Sequence, residues 1–128
     1  MSSTSASRSG QAPALPRRGE IWLVDLNPTV GVEIQKRRPA VVVSSDAVGR
    51  LPIKLVAPIT GWNPAFVASY WHVHLVPDAM NGLTKESAVD ALQLRGVDVQ
   101  RFVQFMGRLP ATKMEEITAA IAAVIEYE

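Results

Sequence analysis

Glu20-Ile21-Trp22-Leu23-Val24-Asp25-Leu26 is apolar on both of its alternations, with Ile21 and Leu23 on one and Trp22, Val24 and Leu26 on the other. A strand without a polar face needs cover on both sides, so the pattern calls for burial between two layers or closure into a small barrel. Gly19 marks the turn into this strand. Asn27-Pro28-Thr29 ends it, because Pro28 has no N–H to give to a ladder. Ala40-Val41-Val42-Val43-Ser44 reads as a second strand and Ile53-Lys54-Leu55-Val56-Ala57-Pro58-Ile59 as a third, joined by a turn from Asp46 to Pro52.

Further along, Tyr70 to Val76 alternates cleanly, which assigns Trp71, Val73 and Leu75 to the core and His72 and His74 to a solvated face. Ser87 to Arg95 is expected to pair with Phe102 to Leu109, across Gly96-Val97-Asp98 and one helical turn. The chain then closes on a helix. Met114, Ile117, Ile121, Val124 and Ile125 recur at helical spacing, opposite Lys113, Glu115, Glu116 and Glu126. Thr112-Lys113-Met114-Glu115 matches a capping box, and Pro110 at the first helical position is an equally good start. Short strands with Gly and Pro turns, followed by one amphipathic helix, give an α+β fold: a small, strongly bent sheet or barrel with a C-terminal helix packed on it.

A chain of 128 residues, 48% hydrophobic, has material for one core and not for two. Residues 1–16 carry one charge, Arg8, and no apolar block, so they are expected to form a disordered leader before a domain at 17–128. Cysteine is absent, which removes disulfides and thiolate chemistry and fits a cytoplasmic protein. No apolar run approaches a membrane span. The net charge of +1 is unevenly spread. Residues 111–128 sum to −3, which leaves +4 for the remainder, and three of those cations stand together at Lys36, Arg37 and Arg38. A polyanion within about 8 to 10 Å would feel that excess. Solvated loop charges are the plainer reading of such a run taken by itself.

The connection Gly31-Val32-Glu33-Ile34-Gln35-Lys36-Arg37-Arg38-Pro39 is costly to bury and belongs on the surface, facing a ligand or solvent. Pro39 pushes Arg38 towards an extended conformation, so its guanidinium is mounted at the foot of a strand. Two histidines on one strand and no cysteine fall short of a metal site. No Gly-x-Ser-x-Gly elbow or phosphate-cradling glycine loop is present. Arg38, Glu33 and Thr60 in a basic neighbourhood suit a phosphodiester. RNA carries its own nucleophile, the 2′-hydroxyl, so no metal or cofactor is required. Arg38 can neutralise charge on phosphate oxygens, but a guanidinium with a pKa above about 12 makes a poor base. Glu33, a water or a strongly perturbed arginine remains open for that role.

Several stretches together resemble the MazF/PemK toxins. They are Gly19 to Pro28, Gly31-x-Glu33-Ile34-x-Lys36-x-Arg38-Pro39 through Ser44, and Ala57-Pro58-Ile59-Thr60. Gln93-x-Arg95-x-x-Asp98 and Gly107-Arg108-Leu109 with Lys113-Met114 complete the set, and the likeness runs from about residue 18 to the end. It implies an SH3-like barrel of the MazF/PemK/CcdB type and a homodimer. It also implies metal-independent, sequence-selective cleavage of single-stranded RNA, leaving 2′,3′-cyclic phosphate and 5′-hydroxyl ends. Arg38 and Thr60 fall on the catalytic pair, and Glu33 and Gln93 on positions associated with the site or with base recognition, so Glu33 is expected to join the catalytic residues. Thr29, Gln35, Lys36, Arg37 and Gln93 are expected to hold the RNA. The implied partner is a MazE-like antitoxin with an acidic, disordered tail. Val32 replaces a serine and Leu92 an acidic residue found in many members, so the cleavage sequence is expected to differ more than the reaction.

Two other classes compete. A non-catalytic toxin of the same barrel would clamp a protein such as gyrase, but that branch ends in Trp-Gly-Ile, whereas this chain ends Ile125-Glu126-Tyr127-Glu128. An SH3-like module that binds RNA without cutting it could use Trp62 and Tyr70 as stacking platforms.

Overall fold

β3 (Ile53–Gly61) is the longest strand and is flanked on both edges. One edge carries β2 (Arg37–Val42), with Ala40 opposite Pro58 and Val42 opposite Val56. The other edge is divided between two partners. Ile53 to Val56 pair with β6 (Arg95–Asp98), and Ile59 to Gly61 pair with β5 (Ser87–Asp90). Pro58 falls where β3 changes partner, a place that tolerates a residue unable to donate. Beyond β2 lie β1 (Glu20–Asp25) and β7 (Phe102–Arg108), and beyond β5 lies β4 (His72–Leu75). The order is β4-β5-β3-β2-β1-β7 with β6 paired to β3, all antiparallel. α1 (Ala111–Val124) follows. The structure, a computed structural model, describes residues 15–127. The expected leader lies outside the described residues except for Leu15 and Pro16, of which Pro16 is buried.

Both faces of the sheet are covered, as the doubly apolar β1 requires. Ile21, Val41, Ala57 and Ile59 join Val73, Leu75, Val89, Met114 and Ile117 in one core. Val24, Leu26, Ala40, Val42, Val56 and Val97 form a second, against Trp22, Ile34 and Phe102. β2 therefore feeds alternate residues into opposite cores. The helix buries Met114, Ile117 and Ala120 in the first. Burying Ile117 completely is worth about 1.5–3 kcal/mol.

The sheet does not close into a barrel. β4 and β7 end the strand order unpaired with each other, and the chain after β4 reaches β7 as a turn instead of a strand. Asp78 accepts from the Met80 and Asn81 amides there, and one rung, Arg108 N–H to Met80 C=O at 2.9 Å, joins the turn to β7. The approach is close enough to demand glycine on both sides. A Cβ on Gly82 would lie 2.2 Å from the Met106 carbonyl, and one on Gly107 2.3 Å from that of Met80.

Other expectations need correction. Residues 87–95 are not one strand paired with residues 102–109. Asp90 caps a 3₁₀ turn at Ala91–Gln93 by accepting from Leu92 N–H, and Asp98 caps another at Val99–Arg101 through Gln100 N–H. Two corners send the chain past β3, so β7 pairs with β1. His72 is not solvated. Its side chain is 9% exposed, stacked on Phe66 at 3.7 Å, with Nδ1 2.7 Å from Ser69 Oγ. His74 stacks on Trp62 and pairs with Glu86. α1 starts after Pro110 without a side-chain cap, so the capping box does not form, and Ile125 is exposed beyond the helix end.

Candidate functional site

Between β1 and β2 the chain makes a loop pinned at its base, at its tip and from below. At the base, Leu26 N–H donates to Lys36 C=O and Lys36 N–H to Asn27 Oδ1, both at 3.0 Å. Lys36 adopts a left-handed φ of 68° to turn the chain into β2. At the tip, Glu33 Oε1 accepts from Val30 N–H at 2.7 Å, closing a turn through Gly31, whose φ is +61°. From below, Arg95 donates to Leu26 C=O at 3.1 Å, and Arg101 donates to the carbonyls of Asp25 and Asn27. Gln93 adds a tether, its Oε1 accepting from Ile34 N–H at 2.6 Å. Its Nε2 points to Asp90 Oδ2, which in turn faces His72 Nε2 at 3.7 Å. Burial pushes the His72 pKa below its usual value, and the charge of Asp90 works against that shift.

Arg38 lies early in β2, half-buried, with Nε donating to Gln35 C=O at 3.2 Å. That bond fixes the near end of the guanidinium and leaves its two terminal nitrogens to point onward. Thr60 is in the last pair of residues of β3, opposite Ala88. Arg38 and Thr60 line one cleft of about 70 Å³, together with Gly61, Thr84, Lys85 and Ser87. Glu33 and Gln93 line a second cleft of about 490 Å³, together with Val32, Ile34, Leu92 and Arg95. So the structure joins Arg38 to Thr60 and Glu33 to Gln93, and Glu33 is not among the residues of the arginine cleft. Gln35 and Lys36 are exposed on the loop, Arg37 is exposed at the first position of β2, and Thr29 is half-exposed on the loop.

Electrostatically the first cleft is cationic. The ion pairs among the described residues are Arg17–Asp46, His72–Asp90, His74–Glu86 and Lys113–Glu116, none of which involves Arg38 or Lys85. Two free cations beside three hydroxyls bind an anion and repel a divalent metal ion. Among the described residues no three His, Asp or Glu side chains come close enough to hold a metal. Sequence reasoning missed Lys85, a single cation with no charge run around it. It also missed Asp90 and Arg101 and gave Arg95 no role beyond a place in a motif, because their partners are brought in from distant parts of the chain.

A family model described as "PemK-like, MazF-like toxin of type II toxin-antitoxin system" matches residues 17–125. The chain belongs to that family. Among its relatives, the endoribonuclease MazF9 of Mycobacterium tuberculosis is 35% identical over 111 residues, covering 82% of this chain and 92% of that protein. Among solved structures, MazF of Deinococcus radiodurans superposes with a TM-score of 0.76 at 23% identity, covering 89% of this chain and 99% of that one. A MazE–MazF structure from the same organism gives 0.71 at 23% identity, covering 91% and 100%. These two establish the shared fold. No described helix is long and apolar enough to cross a membrane. Val32 and Leu92 both line the Glu33–Gln93 cleft.

Proposed function

We propose that this toxin is a sequence-selective endoribonuclease that cuts single-stranded RNA without a metal ion. The observation that carries the proposal is Arg38 and Thr60 in one small cleft, with no carboxylate among the described residues neutralising the arginine. In the reaction the ribose 2′-hydroxyl gives its proton to water as its oxygen bonds to phosphorus, the P–O5′ bond breaks, and the leaving 5′-oxygen takes a proton from water, giving a 2′,3′-cyclic phosphate and a 5′-hydroxyl. The Arg38 guanidinium donates to the non-bridging oxygens, whose charge grows in the transition state, and the Thr60 hydroxyl donates beside it. Such donors stabilise the pentavalent phosphorus more than the ground state, which is the condition for raising kcat.

The second cleft receives a neighbouring base. Glu33 shapes the loop tip that forms its wall and faces the RNA, and Gln93 holds that wall in place. Thr29, Gln35, Lys36 and Arg37 contact the strand along the loop, where exposed cations add affinity that falls with salt. Val32 and Leu92 give the base cleft an apolar rim and set a cleavage sequence unlike that of members with polar groups there. The toxin domain occupies residues 17–128, its sheet is an open relative of the SH3-like barrel, and it works as a homodimer in the cytoplasm. Its inhibitor is a MazE-like antitoxin, a pairing supported by the crystallised complex of the Deinococcus chain with the same fold.

The test is a short unstructured RNA incubated with the protein in EDTA, beside the same RNA carrying one 2′-deoxy sugar at the cut site. Cleavage of the first and full resistance of the second is the expected pair of results. Equal cutting of both would remove the 2′-oxygen as nucleophile and with it this mechanism.

A further inference from the structure

Lys85 precedes β5, in the stretch Thr84-Lys85-Glu86-Ser87. Its backbone is held: the buried Ser87 hydroxyl donates to Lys85 C=O at 2.8 Å, and one residue on, Glu86 C=O accepts from Trp62 N–H at 3.1 Å. The adjacent carboxylate is engaged elsewhere, because Glu86 pairs with His74. The Lys85 ammonium crosses instead to the end of β3. A Cβ built on Gly61 would lie 3.5 Å from Nζ and 3.7 Å from Cε, ordinary contact distances that put the lysine head directly against the glycine next to Thr60. A branched side chain at 61 would drive it out. The result is a second cation in the cleft with Arg38 and Thr60, anchored at its main chain and unpaired among the described residues at its head.

We propose that Lys85 is a phosphate-binding catalytic residue, its ammonium donating to the scissile phosphate from the β5 side while Arg38 donates from the β2 side. The inference rests on the cleavage reading above. A pentavalent phosphorus carries more charge on its non-bridging oxygens than the diester it comes from. One guanidinium already held through Nε to Gln35 has its terminal nitrogens for one side of that group, and a cation from the segment leading into β5 completes the set. Lysine suits the position as a compact point charge that needs no bidentate geometry. Neither bond made nor bond broken involves Nζ, so no proton has to be returned to it.

The experiment compares wild type, Lys85→Met, Lys85→Arg and Lys36→Met on one cleavable RNA in EDTA, with kcat and KM separated and a thermal melt of each protein. Methionine keeps the aliphatic stem, and residue 85 is exposed, so the melting point should hold. Lys85→Met should lower kcat about 10- to 100-fold with little change in KM, below the loss for a fully enclosed oxyanion donor because this cleft is open to water. Lys85→Arg should recover most of that loss. Lys36→Met, on the loop, should raise KM and leave kcat nearly unchanged. Equal kcat for Lys85→Met and wild type overturns the proposal, as does a loss confined to KM. A Lys85→Arg protein as slow as Lys85→Met, with its melt intact, overturns the electrostatic role. A wild-type protein that cuts while Lys85→Met cuts equally well removes the lysine alone, whereas a wild-type protein that leaves RNA whole removes the cleavage reading too. Gly61→Val should reproduce the kcat loss with Lys85 present, and if it cuts at the wild-type rate the proposed position of the ammonium is wrong.

Discussion

Replacing Gln93 with Ala removes a side-chain tether between the 3₁₀ turn after β5 and the loop that carries Glu33. The tether is the 2.6 Å bond from Ile34 N–H to Gln93 Oε1. The companion contact to Asp90, at 3.5 Å, is at the limit for a hydrogen bond and adds little. A neutral bond of the first kind nets about 0.5–1.5 kcal/mol, and 1 kcal/mol is a factor of about five in the equilibrium for loop opening. Amide hydrogen exchange reads that equilibrium directly. The Ile34 amide should therefore exchange about fivefold faster in Gln93→Ala, with its neighbours in β1 and β2 unchanged. Cleavage should fall by no more than the same factor, because the loop closes over any RNA, and the loss should be similar on all cleavable sequences. Gln93→Glu keeps an acceptor for Ile34 and should restore protection in part. An Ile34 amide unaffected by the substitution would refute the tether. So would a loss above tenfold confined to RNAs differing at one base, which would make Gln93 a direct reader.

Three further outcomes follow from other parts of the molecule. Ile117→Ala removes a side chain with no exposure in the first core and should cost about 2–5 kcal/mol in urea unfolding, without altering the cut sequence of the folded fraction. Folded His72 resists a proton that the unfolded chain takes up near 6.5, so its contribution is fully present above that pH and is lost as pH falls through the lowered folded value. The urea midpoint should therefore drop between pH 7.5 and 5, and His72→Gln should drop less over the same interval. Returning polar groups to the base cleft with Val32→Ser and Leu92→Asp should move the preferred cut site on a long transcript, read by end mapping, while the end chemistry stays the same. An unchanged site would separate that cleft from base selection.

Much of the sheet was legible because its periodicity is local. β1, β2 and β3 lie within a residue or three of where apolar runs and Pro28, Pro39 and Pro52 set them. The pairing of β7 was not legible, since it depends on corners made by Asp90 and Asp98, each of which caps a turn only two residues on. His72 and His74 alternate as a polar face would, yet Phe66 stacks on His72 from a 3₁₀ segment that has no apolar period, and Trp62, just past the end of β3, stacks on His74. In the site, Arg38 and Thr60 could be named from motif and strand position. Lys85 could not, because only the antiparallel pairing of β3 with β5 brings it beside Gly61. The loop supports Arg95 and Arg101 were hidden for the same reason, their carbonyl partners lying more than 65 residues away.

The most direct measurement is the rate at which Arg38→Ala cuts an unstructured RNA in EDTA, beside the wild type, with the new ends identified. Removing a donor aimed at developing charge on phosphorus should slow cleavage by about 10²- to 10³-fold, with an unchanged melting point, while the wild type leaves 2′,3′-cyclic phosphate and 5′-hydroxyl ends. A wild-type protein that requires a divalent ion, or an Arg38→Ala protein that cuts as fast as its parent, would contradict the claim that a strand-mounted guanidinium drives this reaction.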